Sequence, residues 1–208
     1  MSRGRFVTLE GIEGSGKSTL ARSLAATLAA RGVAVVSTRE PGGTPLAEQV
    51  RALALHRSAE PVPPAAELLL MFAARAIHVE NRVRPALAAG QWVLCDRFTD
   101  ATRAYQGAGR GIDGALIEHL AVASHAGLAP DRTLLLDLDP EEGLRRARSR
   151  ADGGDRFEDE AVAFFTRVRR GYLDIAAREP GRVRLIDASR PPEAVLAASL
   201  DALEDLLS

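Results

Sequence analysis

Lysine is almost absent from this 208-residue chain: Lys17 stands alone beside 26 arginines. A guanine-reading Asn-Lys-x-Asp motif and the strand lysine of protein kinases each need a lysine of their own, so both are excluded if Lys17 is committed elsewhere. Cysteine is as scarce. Cys95 by itself forms neither an internal disulfide nor a cysteine-based metal cluster, and inside the apolar stretch 91–96 it reads as a buried, inert thiol. No apolar run approaches the ~18 residues of a membrane span, and an apolar strand already opens at Arg5. Neither a membrane anchor nor a signal peptide is therefore expected, and the expected location is cytoplasmic. A net charge of −1 provides no general attraction for nucleic acid or membranes, so anion binding must be local. The four histidines, His56, His78, His119 and His125, show no metal-ligand spacing and read as structural or surface residues.

Lys17 sits in Gly11-Ile12-Glu13-Gly14-Ser15-Gly16-Lys17-Ser18, a complete Gly-x-x-x-x-Gly-Lys-Ser phosphate loop. Its context fits, because residues 5–10 read as a buried strand and 18–31 as a helix with Leu20, Leu24 and Leu28 on one face. Glycines let successive backbone N–H groups converge on an anion, and the helix N-terminus adds partial positive charge. Lys17 would meet the terminal phosphates and Ser18 would coordinate magnesium. The dinucleotide fingerprint fails, since Thr19 stands where its third glycine belongs.

Further strands are expected at 33–38, 91–96, 133–138 and 183–186, with the first two strands forming a parallel pair. Helices are expected at 46–55, 65–88 (closed by Gly90), 113–126, 140–149, 159–178 and 191–207. Five apolar strands alternating with helices imply an α/β fold, a doubly wound five-stranded parallel sheet with helices on both faces, in one domain. Asp96 ends its strand as a magnesium-holding carboxylate would. Glu13 is unusual inside a phosphate loop and reads as facing the acceptor. Phosphoryl transfer between two anions needs several cations. The candidates are Arg39, Arg51, Arg97 and the group Arg146, Arg148, Arg150 and Arg156. Arg146 and Arg150 lie at i, i+4, an unfavourable like-charge pair unless an anion arrives between them. The residues thus leave two classes open, an ATP-using P-loop transferase and a small ATPase module.

The segments 11–18, Thr38-Arg39-Glu40-Pro41-Gly42-Gly43-Thr44, Met71-Phe72-Ala73-Ala74-Arg75, Asp96-Arg97-Phe98 and Ala104-Tyr105-Gln106-Gly107 together resemble the thymidylate kinase family of P-loop nucleoside monophosphate kinases. The resemblance runs almost end to end. It implies transfer of the γ-phosphoryl of MgATP to dTMP, giving dTDP and ADP in dTTP synthesis, by a kinase core with a short lid at about 146–158, in a homodimer packed through helices. ATP would be bound by Gly11, Ile12, Glu13, Gly14, Ser15, Gly16, Lys17, Ser18 and Thr19, with Arg146 and Arg148 from the lid. Magnesium would be held by Ser18 and Asp96.

On the acceptor side the resemblance assigns the dTMP phosphate to Arg97 and Arg51, a thymine carbonyl to Arg75, and the rest of the base edge to Thr102 and Gln106. Tyr105 would crowd the ribose 2′ position, Glu13 would lie near the 3′-hydroxyl, and Arg39 and Pro41 would complete the acceptor site. Because the phosphate loop lacks arginine, the resemblance draws the catalytic arginine from the lid, Arg150 first with Arg146 and Arg148 as its rivals, to act with Lys17, Arg97 and Asp96. Many relatives carry the base-stacking aromatic four residues before the thymine-reading arginine. Here that place holds Met71, so Phe72, three before Arg75, is the stacking residue with Met71 as its rival. A CMP- or UMP-type kinase and a non-catalytic ATP-binding module are the alternatives.

Overall fold

The computed structural model describes residues 4–56, 60–148 and 162–207. Five parallel strands form one sheet: β1 (Phe6–Glu10), β2 (Val35–Arg39), β3 (Trp92–Asp96), β4 (Arg132–Asp137) and β5 (Val183–Asp187), in the order β2-β3-β1-β4-β5. The expected direct pairing of the first two strands is not made. β3, buried except at its last residue Asp96, lies between them, and half-exposed β2 forms the edge. In β1, alternation sends Val7 and Leu9 into a cluster with Leu20, Leu24 and Leu28 of α1 (Lys17–Ala30). Phe6 packs on the other face with Val79, Val83 and Leu87. Both faces are covered, as a near-continuous apolar parallel strand requires. The chain turns opposite ways after β1 and β3, so the ends of these central strands border the crevice where α/β sheets take ligands.

Thr44 caps α2 (Pro45–Leu55) by accepting from the Ala47 N–H. The long helix expected at 65–88 is continuous but not uniform. α3 (Pro64–His78) widens into a π-helical turn at Val79–Val83 before α4 (Arg84–Ala88). Pro85 has no N–H and its ring crowds the carbonyl four residues back; the wider turn absorbs this, with the Arg84 N–H bonded to Val79 O. Gly90 closes the helix at φ 76°. After β3 comes a helix absent from the sequence reading, α5 (Thr99–Thr102) running into a second π-helical stretch at Arg103–Gly109. Gly107, Gly109 and its few regular turns left no apolar period to read. α6 (Gly114–His125), α7 (Pro140–Arg148) and α8 (Val162–Arg178) follow. The last expected helix divides into α9 (Pro192–Asp201) and α10 (Glu204–Leu207), with buried Leu203 between them.

Candidate active site

The donor side is mostly main chain. Gly16, at φ 92°, forms the N-cap of α1 without any side-chain cap, which leaves the helix N-terminus to an incoming anion. Gly14 must be glycine on two grounds: its φ is 76°, and a Cβ there would lie 2.0 Å from the carbonyl oxygen of Gly143. That contact seats α7, the carrier of Arg146 and Arg148, directly on the loop. Lys17 Nζ is buried and donates to the carbonyls of Gly11 (2.9 Å) and Ile12 (2.7 Å) and to Ser15 Oγ (3.3 Å). Burial, reinforced by the Arg97 charge, brings its pKa down to about 8. Ser18 Oγ donates to Asp96 Oδ2 at 3.1 Å, so a hydroxyl and a carboxylate meet at the loop's mouth. A cavity of about 240 Å³ opens beside the loop, lined by Gly14, Gly16, Thr19, Arg146, Arg190 and Val195 among others.

Glu13 turns away from the phosphate loop. Its Oε1 accepts from Arg97 Nη2 at 2.7 Å and its Oε2 from the Tyr105 hydroxyl at 2.5 Å. The Arg97 guanidinium also lies over the Tyr105 ring, 4.6 Å from the centroid, and donates to that hydroxyl at 3.0 Å. A carboxylate that would be costly beside a triphosphate thus has its charge met by the arginine at the end of β3.

Arg75 is 3% exposed and held on several sides. Its Nε donates to Glu40 Oε2 at 2.6 Å, its Nη2 to Phe98 O and Thr102 Oγ1, both at 3.1 Å, and its guanidinium lies 4.8 Å from the Phe72 and 5.2 Å from the Phe98 ring centroid. Its Nη1 has no hydrogen-bond partner among the described residues. Glu40 also takes a hydrogen bond from His78 Nδ1 at 2.9 Å, and His78 Nε2 is 2.7 Å from Thr38 Oγ1. Burial raises the Glu40 pKa, but Arg75 and His78 outweigh it and hold the carboxyl below its ordinary value. Next to this cluster, Gln106 Nε2 donates to buried Glu67 at 2.8 Å, leaving the amide carbonyl as an acceptor. The cluster therefore holds one donor without a partner among the described residues and one amide acceptor, together with an aromatic face.

A family model described as thymidylate kinase matches residues 9–198. The chain belongs to the thymidylate kinase family. It is 53% identical to the thymidylate kinase of Alkalilimnicola ehrlichii over 98% of this chain and 94% of that protein. It is 54% identical to that of Chromohalobacter salexigens over 100% and 99%. The crystal structure of thymidylate kinase from Ehrlichia chaffeensis superposes with a TM-score of 0.78 at 36% identity, covering 97% of this chain and 99% of that one.

Among the expected site residues, Glu13, Arg97 and Tyr105 meet in one cluster and Phe72, Arg75 and Thr102 in another, while others have different neighbours. Arg39 is exposed and paired with Glu48 at 3.0 Å. Arg51 Nη1 donates to Pro41 O at 3.0 Å. Phe72 sits with Arg75 and with Leu68, Ile117 and Ala121, whereas Met71 packs towards α2 beside Ala54 and Leu55. Arg146 is bonded to Glu142 at 2.6 Å and to Ala188 O at 3.0 Å, so its charge has a carboxylate partner besides any anion between it and Arg150. Arg148 is exposed at the end of α7. Arg150 and Arg156 lie outside the described residues. Sequence reasoning missed Glu40, His78 and Glu67 as supports of the base cluster. Glu40 stood within a quoted motif, but only its contact with Arg75, 35 residues away, reveals its task.

Proposed function

We propose that this chain transfers the γ-phosphoryl group of ATP to dTMP, producing dTDP and ADP. The observation that carries the reading is the Glu13–Arg97 contact at 2.7 Å, which joins the donor loop directly to the acceptor cation. Lys17 and the uncapped start of α1 would hold the β- and γ-phosphates, while Arg97 and Arg51 hold the dTMP phosphate, one oxygen of which attacks the γ-phosphorus in line as ADP leaves. The unpaired Nη1 of Arg75 suits a thymine carbonyl and the Gln106 carbonyl suits the imide N–H; leaving a buried N–H unpaired costs about 1–3 kcal/mol, which a docked base would relieve. Thr102 completes the base edge, Phe72 supplies the aromatic face, and Arg39 and Pro41 border the site. Tyr105, held by Glu13 and Arg97, would exclude a ribose 2′-hydroxyl.

Ser18 and Asp96 suit magnesium, since a hydroxyl and a carboxylate oxygen 3.1 Å apart form the small oxygen set this ion takes alongside phosphates and water. Bound there, it would neutralise phosphate charge. Among the described residues no group of three or more His, Cys, Asp or Glu forms a dedicated metal cage. The lid at about 146–158 would supply Arg150, with Arg146 and Arg148 at its base; turnover of Arg150→Ala should fall by roughly 10³ if it is the lid arginine. Exposed Leu46, Leu53, Leu69, Leu116 and Val122 on α2, α3 and α6 support a homodimer through these helices, which sedimentation of Leu53→Glu would test. No helix among the described residues is long and apolar enough to cross a membrane, and a cytoplasmic site of action is the reading we adopt.

The deciding experiment is ADP release across the nucleoside monophosphates. Release that depends on dTMP, and is weak with CMP and UMP, is expected. Release indifferent to any acceptor would overturn the reading in favour of a plain ATP-binding module.

A further inference from the structure

Among the described residues, only Arg97 (φ 71°) and Ala126 (φ 45°) are non-glycine residues with positive φ. Ala126 merely ends α6, whereas Arg97 stands in the crevice. A Cβ disfavours this left-handed conformation, so the surrounding structure must impose it. Three contacts do so. The Arg97 N–H donates to Leu9 O at 2.9 Å, Cys95 Sγ donates to Arg97 O at 3.1 Å, and the Phe98 N–H donates to Glu10 Oε1 at 2.7 Å. The third comes from a carboxyl with no exposure at all. Its second oxygen, Oε2, accepts from the Tyr172 hydroxyl at 2.8 Å, and that hydroxyl in turn accepts from Arg97 Nη1 at 3.4 Å. One buried carboxyl thus grips Arg97 twice, at the following backbone amide and, through Tyr172 of α8, at the guanidinium.

We propose that Glu10 is a positioning residue for acceptor-phosphate binding, holding Arg97 in its left-handed conformation with its guanidinium in the crevice. The inference rests on the reading above that Arg97 holds the dTMP phosphate. Burying a carboxyl is costly, which a purely structural position at the end of β1 would avoid with an apolar residue. Burial first, then the nearby Asp100, push the Glu10 pKa up against the pull of Arg97; a glutamine here would keep an oxygen acceptor for the Phe98 N–H.

The test compares equilibrium affinities for dTMP and thymidine, whose ratio isolates what the phosphate contacts contribute. Arg97→Ala should collapse the ratio; if it does not, the reading of Arg97 fails and the inference falls with it. Glu10→Leu should lower the ratio about tenfold, the upper scale of a lost buried hydrogen bond, with thymidine affinity little changed. Glu10→Gln, which keeps an acceptor for the Phe98 N–H, should restore most of the loss. Tyr172→Phe, which breaks only the guanidinium arm, should lower the ratio about threefold and carries the test if Glu10→Leu does not fold. A ratio that stays at the wild-type value in Glu10→Leu or Tyr172→Phe while Arg97→Ala collapses it, or thymidine and dTMP affinities falling together, overturns the role of Glu10 and leaves that of Arg97 intact. So does a Gln variant as weak as the Leu variant.

Discussion

The donor loop and the acceptor pocket meet at Glu13, yet they are built on different principles. The donor side uses consecutive main-chain groups in one eight-residue stretch, with glycines at 14 and 16 in left-handed conformations and a helix start that no side chain caps. The acceptor side uses side chains from β1, α3, α5, the π-helical stretch at Arg103–Gly109 and the segments just after β2 and β3, joined by contacts such as Arg75–Glu40, Arg97–Glu13 and Gln106–Glu67. A loop of main-chain donors gains little from distant neighbours. A pocket of buried charges depends on every one of them, because an unmatched partner leaves a charge in a poor solvent.

This contrast is open to attack, first at Lys17, the one cationic side chain of the phosphate loop. Lys17→Met should lower single-turnover phosphoryl transfer by roughly 10³, since it removes charge from the phosphates while leaving the main-chain cradle in place. A loss below tenfold would mean that the main chain alone suffices, and would sharpen the contrast further. Glu40→Ala attacks the other side. It leaves Arg75 buried without its carboxylate, so destabilisation of about 3–5 kcal/mol and a melting temperature lower by roughly 10 °C are expected by calorimetry. An unchanged melting temperature would show that the acceptor cluster does not depend on its ion pairs.

The smallest effect concerns protonation of Lys17. With a folded pKa of about 8 against 10.5, the folded chain binds fewer protons than the unfolded chain between those values. This group's contribution to stability is therefore present above 10.5 and lost as pH falls through 8. Amine-selective acylation reads it directly, because Lys17 is the only lysine. The side-chain rate should titrate near pH 8 and be suppressed by MgATP, whose negative charge favours the ammonium. A rate unaffected by MgATP would remove Lys17 from the phosphate site.

Legibility in the sequence followed the same division. The strand–loop–helix unit and the alternation of strands and helices were readable because each depends on neighbours within about twenty residues. The edge position of β2 was not, since Val35 and Val36 are apolar whichever strand lies beside them. The π-helical stretch at Arg103–Gly109 was hidden by its glycines, although it presents Tyr105 to Arg97 and Gln106 to Glu67. Arg146 was marked as a cation for phosphate and a like charge beside Arg150, but its bond to Ala188 O was not readable, since it spans 42 residues and appears only once the sheet is assembled.

By itself, then, the chain's order of residues determined the phosphate-loop motif at 11–18 and, through its other motifs, the family resemblance and the candidacy of Arg75, Arg97 and Tyr105. Only tertiary structure decided how those side chains are held: Glu10 beneath Arg97, Glu40 and His78 behind Arg75, Glu67 behind Gln106. The physical reason is that main-chain anion binding is a local property of backbone conformation. The support of a buried charge is a pairing across the fold, and no spacing along the chain encodes which carboxylate will meet which arginine.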